Sequence, residues 1–346
     1  MEERRLSLAV VTNLTNISYL TGFYGSAGIA LIDPEEVTLL VDPRYTLQAR
    51  DQAVGVEVIE EKGRLVDAAG KLARKKKQKT AGYEDSNLTC QQFDSLKMSS
   101  GPRVRWKPLG EMIEELRAVK GPEEIEVIRR ACQLTCEVLE EVVPFLRPGA
   151  RESDLAAEVE YRVRLKGGDR TAFDTIVASG PRAALPHARA SEKVLSRSEL
   201  VIFDLGAILA AYASDMTRTF YLGEPPRLVR RIYEAVREAQ AQAVEALRAG
   251  ARAGDVDAAA RNALARRGLA KYFTHSTGHG VGLEIHERPR LGKGEKTRLA
   301  VGSVVTAEPG VYMEGFGGVR VEDTVLIGPE GPEILTPAPK DRWVLA

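Results

Sequence analysis

Residues 203–220 read FDLGAILAAYASDMTRTF. Apolar and small residues dominate the stretch and predict two short buried strands around a turn. Two aspartates, Asp204 and Asp215, sit inside it. A bare buried carboxylate is costly, so each must be paired, protonated or bound to metal. The two lie eleven positions apart, and an odd separation puts them on opposite faces of a single strand. A hairpin turning near 206–210 removes that conflict and brings both to one site.

The idea recurs in TAEPGVYMEGFGGVRVEDTV, residues 306–325. Glu308 ends one apolar strand, and Glu322 lies in another beyond a glycine-rich turn. The chain has only four histidines, His187, His275, His279 and His286. Three of them fall in THSTGHGVGLEIHERP, residues 274–289. His275 and His279 have the spacing of a helical HExxH motif, but no glutamate follows His275. Gly278, Gly280 and Gly282 also argue against a helix there. HERP at 286–289 fails too, because Pro289 takes the place of the helix interior. GHGVG lacks the GxGxxG spacing of a dinucleotide loop. The segment therefore reads as extended.

Salt bridges to Arg218 and Arg320 would account for one buried acid. Four acids in apolar strands favour a metal site. Four carboxylates and one imidazole make a hard, oxygen-rich set, suited to Mn, Co or Fe rather than a closed structural zinc. Their charge is enough for two divalent ions. Two metals roughly 3.5 Å apart can hold a hydroxide at neutral pH and polarise a carbonyl, as hydrolysis requires.

The 346 residues are 44% hydrophobic and 28% charged, ordinary for a soluble globular protein of about two domains. Net charge is zero, which removes any global argument for nucleic-acid binding. The basic block RKKKQK, 74–79, reads as a solvated turn or helix end. Three cysteines give no disulfide framework and fit a reducing compartment; Cys132 and Cys136 share a helix face as small core residues. No apolar run is long enough to span a membrane, and the apolar segment near the N-terminus is too short for a signal peptide. A cytoplasmic protein without membrane contact is expected.

The first 110 or so residues alternate strands (LAVVT, GIALID, VTLLVD, VEVIE) with helices (RYTLQARDQA, RLVDAAGKLARKKK), an α/β pattern. RAVKGPEEI, 117–125, reads as a boundary, because Gly121 and Pro122 precede an acidic first turn. Four helices are expected beyond it: 122–146, after Ser153, after EPP at 224–226, and after Asp255. Glycine-broken apolar strands lie between them. This predicts an α+β domain with helices on one side of a mainly antiparallel sheet. No internal repeat is visible in the residues.

Five stretches in order, GPRAALPHARAS, FDLG…YASDMTRTF, STGHGVGLEIHE, TAEPGVY and GVRVEDT, resemble the pita-bread (creatinase-fold, M24) metallopeptidase family. That family includes prolidase (Xaa-Pro dipeptidase), aminopeptidase P, methionine aminopeptidase and metal-free creatinase. NISYLTGFYGSAG and DPRYTLQA resemble the N-terminal domain of its prolidase and aminopeptidase P branch, so the likeness covers nearly the whole chain. It implies an N-terminal α/β creatinase-type domain over 1–118 and a catalytic pita-bread domain over 119–346. It implies metal ligation by Asp204, Asp215, His279, Glu308 and Glu322, with Asp215 and Glu322 bridging two divalent ions. Manganese is favoured, with Co, Fe or Zn as alternatives. Glu308 would also shuttle the proton, and His187 and His286 would contact substrate and stabilise charge. His275 would support the site or touch substrate, and Arg320 would orient Glu322 or Glu308 or touch substrate. Phe173 would line a proline pocket or belong to the core. No ligand position is missing, which disfavours creatinase and non-catalytic relatives. The N-terminal domain disfavours methionine aminopeptidase. The expected function is hydrolysis of the bond before proline in di- or oligopeptides, as a dipeptidase or alternatively as aminopeptidase P. The family usually forms homodimers.

Overall fold

The computed structural model describes residues 6–76 and 79–345. Lys77 and Gln78 of the basic block lie outside them; Arg74 and Lys75 end the helix Leu65–Lys75, and Lys76 pairs with Asp33 and Glu36. The chain divides into two compact units between Leu116 and Arg117.

The first unit is a six-stranded mixed sheet in the order Glu57–Glu60, Val37–Val41, Ile29–Ile32, Leu8–Val11, Thr80–Tyr83, Arg105–Pro108. Alternating side chains serve the two faces. Leu8, Val10, Ile29 and Leu31 pack against Ala69, Ala73 and Leu96 of the helices Leu65–Lys75 and Cys90–Ser100. Val11, Ala30, Leu39 and Val41 pack against Ile17 and Ala49 of Leu14–Thr21 and Thr46–Gln52. Two of these helices, Leu14–Thr21 and Cys90–Ser100, lie outside the elements expected from sequence. Their hydrophobic stripes are weak, and their starts are fixed instead by side-chain caps from Asn13 and Thr89.

The second unit repeats one order of elements. Helices Pro122–Val142 and Glu152–Leu165 are followed by paired strands Ile176–Ser179, Leu200–Leu205 and Met216–Leu222. Helices Arg227–Ala246 and Ala253–Arg266 are followed by paired strands Gly278–Gly280, Val304–Ala307 and Asp323–Ile327. This internal repeat was invisible in the residues because packing preserves pattern and pairing, not identity. The strands pair antiparallel, as expected, but in separate sheets rather than one. Each half buries its own helix pair: Val138, Leu155 and Val159 against Val201 and Phe203, and Val236, Val256 and Ala260 against Val305 and Val325. Cys132 is buried and Cys136 half-buried on the first of these helices, and both are free thiols.

Candidate metal centre

The hairpin expected around Asp204 and Asp215 forms. Thr217 faces Asp204 across the strand pair. Further out, Ile208 faces Ala213 and Leu209 faces Tyr212. The turn therefore centres between Ala210 and Ala211, just beyond the expected window of 206–210. Both have positive φ, 46° and 71°, as a two-residue hairpin turn of this hand requires. In this register Asp204, Gly206, Asp215 and Thr217 share one face. Gly206 is needed there, since a Cβ would come 2.1 Å from the Ser214 carbonyl oxygen.

The other acids come from the second half. Glu308 follows the strand Val304–Ala307. Glu322 lies in a break between Gly317–Arg320 and Asp323–Ile327, not inside one continuous strand as expected. The break lets the Glu322 N–H donate to the Thr217 carbonyl (3.1 Å) while its carboxylate accepts from Thr217 Oγ1 (2.6 Å). His279 sits on the extended segment Gly278–Gly280. A Cβ at Gly278 would lie 2.1 Å from the Thr306 carbonyl oxygen, so only glycine permits the close approach of that segment to its neighbour.

Asp215, His279 and Glu322 each offer a donor atom within 4.8 Å of the others. His279 Nε2 lies 3.6 Å from Asp215 Oδ2 and 3.4 Å from Glu308 Oε1. Its Nδ1 is 3.1 Å from the Gly280 carbonyl, which only accepts, so the proton belongs on Nδ1 and the Nε2 lone pair faces the acids. Burial, helped by the charge of His286, lowers His279 to about 3. The ring is neutral at pH 7, and these contacts are not ion pairs.

The acids are under electrostatic stress. Burial, then Glu322, Asp204 and Glu308, hold Asp215 well above the ordinary carboxylate range. Burial, then Glu308 and Asp204, raise Glu322 likewise. Burial lifts Glu308 to about 8 against the pull of Arg320. Asp204 Oδ1 and Glu322 Oε1 are buried without a hydrogen-bond partner among the described residues. Converging acids, two orphaned oxygens and a neutral imidazole lone pair fit a site for divalent cations.

Arg320, 3% exposed, binds Asp204 Oδ2 and donates from Nε to Thr217 Oγ1 (3.0 Å). Arg218 reaches none of the four carboxylates among the described residues; it pairs with Asp323 (2.8 Å) and donates to the backbone carbonyls of Glu322, Thr336 and Ala338. The salt-bridge account thus holds for one oxygen of Asp204 alone among these acids.

His286 is exposed, with its ring centroid 4.2 Å from that of His279, edge-on. His187 is exposed on the loop after Ile176–Ser179, and its charge adds to burial in lowering His275 and His286. His275 has both ring nitrogens engaged, Nδ1 at the Ser276 carbonyl (2.8 Å) and Nε2 at the Tyr312 hydroxyl (2.9 Å). Burial and the Arg320 charge bring it to about 4. Tyr312 accepts from Arg320 (2.9 Å) and so donates to His275. Phe173 packs beside Ile128, Cys132 and Ala172, its ring against Gly206.

Tyr312 and Thr217 are site residues that sequence reasoning missed. Thr217 comes across from Asp204 only with the turn at Ala210 and Ala211, a register the expected window did not give. Tyr312 carried no signal, since nothing in its own strand shows that its hydroxyl reaches Arg320.

Residues 126–329 match metallopeptidase family M24, and residues 1–119 match the creatinase/prolidase N-terminal domain. The chain is 39% identical to the Xaa-Pro dipeptidase of Pyrococcus furiosus over 97% of this chain and 95% of that protein. The solved Xaa-Pro dipeptidase from Bacillus anthracis is 38% identical, with a TM-score of 0.96 over 99% of this chain and 96% of that one. The X-Pro aminopeptidase from Thermotoga maritima is 35% identical, with a TM-score of 0.91 over 99% of both chains. The chain belongs to metallopeptidase family M24, with a creatinase-type N-terminal domain ahead of a pita-bread fold.

Proposed function

We propose that this protein is an Xaa-Pro dipeptidase holding two divalent ions, manganese first, and acting as a cytoplasmic homodimer. The observation that carries the reading is the convergence of Asp215, His279 and Glu322 beside the unpartnered oxygens of Asp204 and Glu322. The relatives named Xaa-Pro dipeptidase support the substrate. Asp204, Asp215, His279, Glu308 and Glu322 would hold the ions, with Asp215 and Glu322 contributing to both. When bound, such ions supply Lewis acidity toward the scissile carbonyl and acidify a water.

The chain's own residues do the rest. Glu308 takes the proton of the attacking water on its carboxylate and returns it to the leaving imide nitrogen. Its elevated pKa shows how strongly this pocket favours the protonated form when no cation is present. His187 and His286 donate to the substrate around the scissile bond. Arg320 orients Glu322 through Thr217 and fixes Asp204 directly. His275, with no free nitrogen, steadies Tyr312 and Arg320. Phe173 forms one wall near the proline ring.

The likeness to an X-Pro aminopeptidase favours one second reading, release of the first residue from longer Xaa-Pro peptides. One assay separates them: Mn- and Co-loaded enzyme with Ala-Pro, Ala-Pro-Ala and Met-Ala-Ala. Cleavage of Ala-Pro alone is expected. Cleavage of the proline tripeptide establishes the aminopeptidase reading, and cleavage of Met-Ala-Ala alone removes proline specificity altogether.

A further inference from the structure

We infer that Glu152 is a positioning residue for His187; this rests on the reading of His187 as a substrate contact. Glu152 opens the helix Glu152–Leu165 and is 0% exposed. A carboxylate so deeply buried needs a full set of donors. Its set comes from one place. Oε1 accepts from the N–H and Oγ of Ser179, both at 2.8 Å. Oε2 accepts from the N–H (3.2 Å) and Oγ (2.7 Å) of Ser191, and from Arg182 Nε at 3.1 Å.

Ser179 ends the strand before the loop that carries His187, and Ser191 lies just beyond that histidine. Arg182 lies inside the loop and also reaches the Arg189 carbonyl. One carboxylate therefore ties the strand end at Ser179 to Ser191 and holds Arg182 between them, closing the segment 179–191 around His187. The helix start answers with its own backbone: the N–H groups of Glu152 and Ser153 donate to the carbonyls of Lys193 (3.0 Å) and Ser191 (2.9 Å). The acid also sits in the first turn, where the helix dipole favours negative charge.

The loop tip is held separately. Arg320 Nη1 donates to the Pro186 carbonyl at 3.0 Å, one residue before His187. His187 itself is exposed. Its place relative to the acids thus depends on the loop being closed at Glu152 and pinned at Pro186. A general fold staple would gather donors from several elements. Among the described residues, every donor to the Glu152 carboxylate lies in the segment from Ser179 to Ser191.

The test is a double-mutant cycle on Mn-loaded full-length enzyme with Ala-Pro: Glu152→Gln and Ser191→Ala, each alone and combined with His187→Ala. Glu152→Gln should keep its metal content and lower kcat by about tenfold, with KM nearly unchanged, the size expected from misplacing a reacting group. Ser191→Ala should show a smaller loss of the same kind, and it decides the matter if Glu152→Gln does not fold. In the His187→Ala background both losses should vanish. If His187→Ala alone left kcat intact, the role of His187 would fail, and the inference with it. If His187→Ala lowered kcat but the second losses multiplied unchanged, Glu152 would be a structural residue only, while the role of His187 stood.

Discussion

Glu322 and Asp323 are neighbours in sequence, both buried and both acidic, yet their surroundings are opposite. Asp323 accepts from Arg218 (2.8 Å), Gln240 (2.8 Å), Thr336 (3.3 Å) and Lys340 (2.5 Å). Glu322 has one hydroxyl donor on Oε2 and none on Oε1. Adjacent residues at a strand start point to opposite faces, so one faces the C-terminal tail and the other faces the acids. The contrast separates two uses of a buried carboxylate. A saturated one, such as Asp323 or Glu152, holds chain segments together. An under-saturated one among like charges, such as Glu322, suits a cation.

Substitutions should break the pair apart in different currencies. The largest effect is expected for Glu322→Ala or Asp215→Ala: activity is abolished through loss of metal, measured by metal analysis alongside turnover. Full activity surviving chelation and reloading would remove these residues from the site. Asp323→Asn should instead cost stability, about 3–5 kcal/mol, because it leaves the buried Arg218 guanidinium without its counter-charge. Urea unfolding of the metal-free form reads it. Asp215→Asn in that same metal-free form should raise the denaturation midpoint, since it removes a repelled charge.

A smaller effect tests the link between the two strands. Thr217→Val removes the hydroxyl that takes a hydrogen bond from Arg320 and gives one to Glu322. Metal affinity should fall roughly tenfold, the lower end for groups that orient a ligand. Unchanged affinity would mean that Glu322 needs no such support.

The smallest effect is the pH response of the metal-free protein. Glu308 has a folded value of about 8, and Asp215 and Glu322 are raised with it. The folded state then binds protons that the unfolded chain has already released, so stability falls as pH rises toward about 8. His275 and His279, lowered to about 4 and about 3, act in the opposite sense, but only below their unfolded value of about 6.5. Between about 6.5 and 8 the raised acids, not these histidines, set the slope. Thermal midpoints of metal-free protein should decline across that window, and Glu308→Gln should flatten the decline.

Much of this contrast was legible in the residues. An odd spacing of aspartates demanded a hairpin, and glycines around His279 ruled out a helix. The second-unit helices announced themselves through proline and acidic first turns, although two begin at Glu152 and Ala253, ahead of the starts expected after Ser153 and Asp255. What stayed hidden was non-local. Whether Arg218 serves Asp204 or Asp323 depends on a tail more than a hundred residues away, at Thr336 and Ala338. The weakly amphipathic helices of the first unit depend on caps and packing. The repeat of helix pair and strands leaves its trace in pairing order, which residue identities do not record.

The most direct test of the metal centre is calorimetric titration of metal-free protein with Mn²⁺ at pH 7.5, repeated in buffers of different ionisation enthalpy. The site described here predicts two ions per chain and release of protons from the raised carboxylates on binding. Binding without proton release, or equal binding by Glu322→Ala, would contradict it.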